Sequence, residues 1–98
     1  MSDKAIIVKE KGGADALRFD VVVREGKGET RHEVTLRVAD LARLAPQRSG
    51  AALVEAAFAF LLDREPKEAV LARFDVSAIS RYFPDFEREL PRYLANAP

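Results

Sequence analysis

Two features of the chain predict an α+β fold. Apolar and charged residues alternate with period two through the first part of the chain, and the alternation stops near residue 40. Beyond that point the spacing is helical, and residues 49–62, SGAALVEAAFAFLL, hold eleven apolar side chains and one charge, Glu55. Strands followed by helices predict an N-terminal three-stranded antiparallel meander, packed on one face by a C-terminal group of four to five short helices. The prediction is one small domain over 1–98, with strands across 4–38, helices across 40–95 and a central helix over about 50–64. A chain of 98 residues buries roughly 60–65% of its unfolded surface, enough for one core.

The elements follow in order. Ala5-Ile6-Ile7-Val8 is a β-branched run stopped by Lys11-Gly12-Gly13 and reads as a first strand beside the second. In residues 17–24, Leu17, Phe19, Val21 and Val23 share one face, with Arg18, Asp20 and Arg24 on the other. Gly26-Lys27 suits a type II′ turn, because glycine accepts the positive φ of the first turn position. A third strand over 29–38 follows. With that turn, Val23 faces Thr30, Val21 faces His32, Phe19 faces Val34 and Leu17 faces Leu36, so both apolar sets fall on one side of the sheet. On the other side Arg24 meets Glu29 favourably and Asp20 meets Glu33 unfavourably.

Asp40 is placed to cap a short helix over 41–45 that Pro46 ends, and Ser49 to cap the central helix. Pro66 suits the first position of a helix over 67–74 carrying Val70, Leu71 and Phe74. Asp75 can cap the next short helix, with Val76, Ile79, Tyr82 and Phe83, which Pro84 breaks. A last segment presents Phe86, Leu90, Tyr93 and Leu94. Pro91 inside it costs ~3 kcal/mol in a helix interior, which predicts a kink or two abutting short helices.

Composition excludes several chemistries. The chain has no cysteine, so disulfides, thiolate nucleophiles and cysteine-held metals are out. Sixteen basic and sixteen acidic residues balance to zero formal charge, whereas domains that live on phosphate contacts carry a basic excess. The glycine pairs lack phosphate-loop spacing. Residues 50–62 are too short to span a bilayer, and Ala5 to Val8 is too short for a signal-peptide core. A soluble, cytoplasmic protein is expected, with no membrane association, cofactor or metal.

His32 is the only histidine, and its neighbours in sequence and register form no ligand set. A half-buried histidine hydrogen-bonded at the sheet rim is the expectation. Glu55 is placed by the helical period at the edge of a stripe of small residues, Ala52, Ala56 and Ala59, while the large side chains fill an arc of roughly 200°. That position makes it solvated rather than a general acid or base. Arg64, Glu65, Lys67 and Glu68 read as a solvated cluster in which Arg64 and Glu68 could pair, worth only ~0–1 kcal/mol.

Residues 68–83, EAVLARFDVSAISRYF, resemble a helix-turn-helix, with Ser77, Ser80 and Arg81 on the polar face of the second helix. The segment is about two residues shorter than the usual motif, Asp75 stands where the turn glycine is usual, and Pro84 cuts the second helix short. Three functions therefore compete. A non-enzymatic protein-interaction domain ranks first, binding another protein or a second copy of itself along Ala52, Glu55, Ala56 and Ala59. A DNA-binding regulator ranks second, using Ser77, Ser80 and Arg81 with help from Arg18, Arg24, Arg31 and Arg37 on the open sheet face. A small enzyme or ligand-binding protein ranks last, since one histidine and no paired carboxylates at a recognisable spacing leave little to build a site from.

Overall fold

The computed structural model describes residues 4–13 and 15–96. Strands β1 (Ala5–Gly12), β2 (Ala16–Glu25) and β3 (Gly28–Arg37) form the expected antiparallel meander. The register between β2 and β3 is the one the alternation predicts, with Phe19 opposite Val34, Val21 opposite His32 and Asp20 opposite Glu33. Gly26 sits at φ +60° between the paired ends Glu25 and Gly28, the left-handed conformation required at the first position of that turn. Ile6 and Val8 of β1 pair with Val23 and Val21 and extend the apolar face.

The sheet has a fourth strand that periodicity did not predict. β4 (Arg73–Asp75) lies parallel to β3, with Val34 opposite Phe74, so the sheet is mixed, in the order β1-β2-β3-β4. Residues 67–74 therefore do not form the predicted helix. A single 3₁₀ turn, Lys67–Ala69, follows Pro66, and the chain then extends. The spacing of Val70, Leu71 and Phe74 suits a helix, but the edge of β3 presents backbone groups that need partners. The extended segment supplies them: the Glu33 N–H donates to the Ala72 carbonyl at 2.8 Å.

Four α-helices are present among the described residues: α1 (Val38–Leu44), α2 (Gly50–Leu62), α3 (Ile79–Tyr82) and α4 (Phe86–Ala95). α1 continues directly from β3, so it begins three residues before the predicted start. Asp40 lies in its first turn, beside Arg43, rather than at the cap. α2 is capped as expected, Ser49 Oγ accepting from the Ala52 N–H at 3.0 Å, and it ends at Leu62 instead of residue 64. Asp75 caps the 3₁₀ turn Val76–Ala78 through the Ser77 N–H, and α3 follows. α4 runs through Pro91 as one helix rather than splitting in two. Arg48 supports its end by donating to the Leu94 carbonyl at 2.6 Å.

The core lies between the sheet and α2. Phe19, Val21, Val23, Val34 and Leu36 meet Leu53, Val54, Phe58 and Leu61, all fully or almost fully buried. Gly50 is where α2 comes closest to the sheet: a Cβ there would lie 2.8 Å from Phe19 Cζ and 2.9 Å from Leu17 Cδ1. α4 closes the flank of α2 through Phe60, whose ring meets Phe86 and Tyr93 edge-on at 5.1 and 5.7 Å. Tyr93 donates its hydroxyl proton to Asp63, and Arg64 lies over the Phe60 ring at 3.7 Å.

Candidate interaction groove

The residues singled out from sequence fall in three different places. Ala52 and Ala56 are buried, at 7% and 1% exposure, so the small-residue stripe of α2 is largely enclosed by the chain itself. Ala59 and Glu55 are half-buried at its margin. The period placed these residues on a common side of α2; it carried no information about what would cover that side.

Segment 68–83 is not a helix-turn-helix. Its first half is a 3₁₀ turn and a strand, and α3 has only four residues, too short for a recognition helix. Ser77 and Arg81 are exposed, and Ser80 is half-buried with its hydroxyl 3.5 Å from Glu87 Oε2. The arginines proposed to help them do lie on the open sheet face, but acids are interleaved with them. Arg24 and Arg31 both hold Glu29, at 2.8 and 3.0 Å, and Arg73 lies 3.7 Å from Glu33. The Arg24 hydrogen bond, then the Arg31 charge, keep the Glu29 carboxyl below its ordinary pKa. Acids therefore interrupt the basic residues of that face, although among the described residues Arg18 and Arg37 have no acidic partner and Arg24 and Arg31 share one.

His32 is 5% exposed, deeper than expected, and fully engaged. Its Nδ1 lies 2.8 Å from the Leu71 carbonyl, which can only accept, so Nδ1 carries the proton. In the neutral ring Nε2 then accepts from the Thr30 hydroxyl, also at 2.8 Å. The imidazole meets Phe58 edge-on at 5.2 Å. Both ring nitrogens are thus committed to the protein: Nδ1 ties β3 to the segment before β4, and Nε2 is held by Thr30 within β3.

The charged cluster after α2 also differs from its predicted pairing. Arg64 binds Asp85 at 3.0 Å, while Lys67 binds Glu68 at 2.6 Å. Each cation holds its carboxyl below the usual range, chiefly by the hydrogen bond. Lys67 is 7% exposed, with its stem against Gly28, where a Cβ would lie 3.1 Å from Cε. A residue that composition assigns to solvent thus covers the end of β3 by burying its methylenes and keeping its head paired.

A groove opens where these devices meet. Leu61 from α2, Val70 and Leu71 from the extended segment, Phe74 from β4, and Ile79, Tyr82 and Phe83 from α3 and its end line a concavity of about 370 Å³. Two large side chains on it stay exposed, Leu71 at 52% and Tyr82 at 69%. Among the described residues Glu65 is the only carboxylate in the lining. The wall carrying Leu71 is held by the His32 bond to its carbonyl, and Phe74 meets the Phe58 ring in a tilted contact at 5.9 Å. Helical periodicity hid this site, because it gathered Val70, Leu71 and Phe74 onto one predicted helix face. The sequence signal that was available is the surplus of large apolar and aromatic residues between Val70 and Phe83. Among the described residues no group of three or more His, Asp or Glu side chains is arranged to hold a metal ion.

Comparison with protein-family models, with curated proteins and with solved structures finds no match to this chain.

Proposed function

We propose that this chain is a protein-interaction domain, and that its binding site is the groove between the β4 segment and α3. The observation that carries the reading is the pair of large exposed side chains, Leu71 and Tyr82, on the wall of a mostly apolar concavity. Exposed apolar surface gathered in a concavity is what a partner's anchoring side chains cover, and aromatic residues there give the largest contact area for the least lost entropy. At about 370 Å³ the groove is at the small end of the range for ligand pockets, which suits one or two anchor side chains of a partner segment. Its lining offers one carboxylate and one phenol, too little for acid–base or nucleophilic chemistry. The zero net charge of the chain and the acids set among the arginines of the open sheet face favour a protein partner over nucleic acid.

The test is a displayed peptide library selected on the wild-type domain and depleted on Leu71→Asp, which changes an exposed side chain and leaves the core alone. Selected peptides should share apolar anchors and bind at least tenfold more weakly to Leu71→Asp and to Tyr82→Ala, in fluorescence anisotropy on variants that keep the wild-type circular dichroism. Peptides that bind all three proteins equally, or a selection that yields none, would overturn the reading.

A further inference from the structure

We infer that the outer edge of β1 is the surface through which two copies of this chain pair, strand against strand, antiparallel and centred on Ile7. The inference does not rest on the groove, which lies at the opposite end of the sheet.

The two edges of the sheet are treated differently. Beyond β3, Lys67 lies over Gly28, the Leu71 carbonyl accepts a hydrogen bond from His32 Nδ1–H and the Ala72 carbonyl accepts one from the Glu33 N–H. β1 instead has β2 as its sole strand neighbour, and no backbone group of a turn or loop bonds to it among the described residues. An open edge of eight residues (Ala5–Gly12) is a ready template for another strand.

Symmetry restricts what can pair there. Two copies that continue one sheet antiparallel are related by a two-fold axis normal to it, so each residue meets one from the same face. Centring on Ile7 sets Ile7 against Ile7 of the second copy, Ile6 against Val8, Ala5 against Lys9 and Lys4 against Glu10. On the open face Ile7 is 44% exposed and sits opposite Val22 of β2, so the pairing creates an unbroken row Val22–Ile7–Ile7–Val22. On the helix face the half-buried Ile6 and Val8 cover each other, and Lys4, which lies 3.9 Å from Glu25 of its own chain, gains Glu10 of the second copy as a further acid. Lysine on an edge strand normally discourages pairing, but in this register no two like charges meet.

The neighbouring registers do worse. Centring on Val8 opposes Ile6 to Glu10 and Ile7 to Lys9, and it brings into the ladder the irregularity between Glu10 and Gly12. Centring on Ile6 places Lys4 against Val8. Only the Ile7 register satisfies both faces and the charges.

Sedimentation velocity of the full chain from about 1 µM to 500 µM tests this. The wild type should pass from monomer to dimer, and Ile7→Lys should stay monomeric with an unchanged circular dichroism spectrum, because Ile7 lies outside the core. Glu10→Lys, which sets two cations against each other at the rim, should weaken the dimer by roughly tenfold. Leu71→Asp should dimerise like the wild type. A wild type that is monomeric throughout, or an Ile7→Lys or Glu10→Lys variant that dimerises as well as the wild type, would each overturn the inference. A dimer lost in Leu71→Asp and kept in Ile7→Lys would place the second copy in the groove instead, and would overturn it as well.

Discussion

His32→Phe separates a structural histidine from a chemical one. Phenylalanine keeps the ring and its edge contact with Phe58, now 5.2 Å between centroids, and removes both polar partners. The Leu71 carbonyl loses the donor that held it at 2.8 Å, and a part-buried acceptor left without its partner costs at most ~1–3 kcal/mol. Thr30 is half-exposed, so its hydroxyl can turn to water and adds little. The more apolar ring recovers part of the loss, which leaves a net destabilisation of about 1–2 kcal/mol. For a domain of this size that is a fall in melting temperature of about 4–15 °C. His32→Ala, which also deletes the ring, should fall further, by about 3–5 kcal/mol. The assay is urea unfolding followed by circular dichroism, read as a shifted midpoint with an unchanged slope. The same variant should bind groove-selected peptides more weakly, because Leu71 has lost its tether. His32→Phe at or above wild-type stability would refute the reasoning, since it would mean that the bond from β3 to Leu71 contributes nothing.

Four other outcomes follow from the structure. Gly50→Ala should destabilise by about 1–2 kcal/mol in urea despite alanine's better helix propensity, because its Cβ meets Phe19 and Leu17 at 2.8 and 2.9 Å; a stabilised variant would show that the sheet yields there. Pro91→Ala should raise stability by about 1–2 kcal/mol, since it restores a hydrogen bond inside α4 at the expense of a stiffer unfolded chain; thermal melts give the answer. Hydrogen bonds from Arg64 to Asp85 and from Arg43 to Glu87 are the main causes that lower these two carboxyl pKa values in the folded state. Their contribution to stability is therefore present above the ordinary carboxylate range and is lost as pH falls through the lowered folded values, so Arg43→Met should flatten the loss of stability below about pH 4. Glu55→Gln should change stability by less than about 0.5 kcal/mol and leave peptide binding untouched, as expected of a half-buried side chain at the helix margin.

Local rules reached far into this fold. The hairpin was legible because Gly26 permits the turn and a period-two pattern admits only one register with a common apolar face. Ser49 and Asp75 announced helical starts because a side-chain oxygen two or three residues ahead of free N–H groups acts within a few ångströms of its own position. The angular place of Glu55 followed from the helical period alone.

Other features were decided by partners distant in sequence. Residues 70–75 suit a helix by spacing, and they extend because the edge of β3 needs hydrogen-bond partners that only an extended chain can give. Lys67 is buried because Gly28 leaves room for its stem. The stripe Ala52–Ala56 is interior because other parts of the chain fold over it, a fact about neighbours that no periodicity contains. The groove combines both causes. The sequence by itself determined that Val70, Leu71, Phe74, Ile79, Tyr82 and Phe83 are apolar and close together along the chain. Only the tertiary structure decided that they face one another across an open concavity, because that depends on where β4 docks, and β4 docks where an unpaired strand edge requires it.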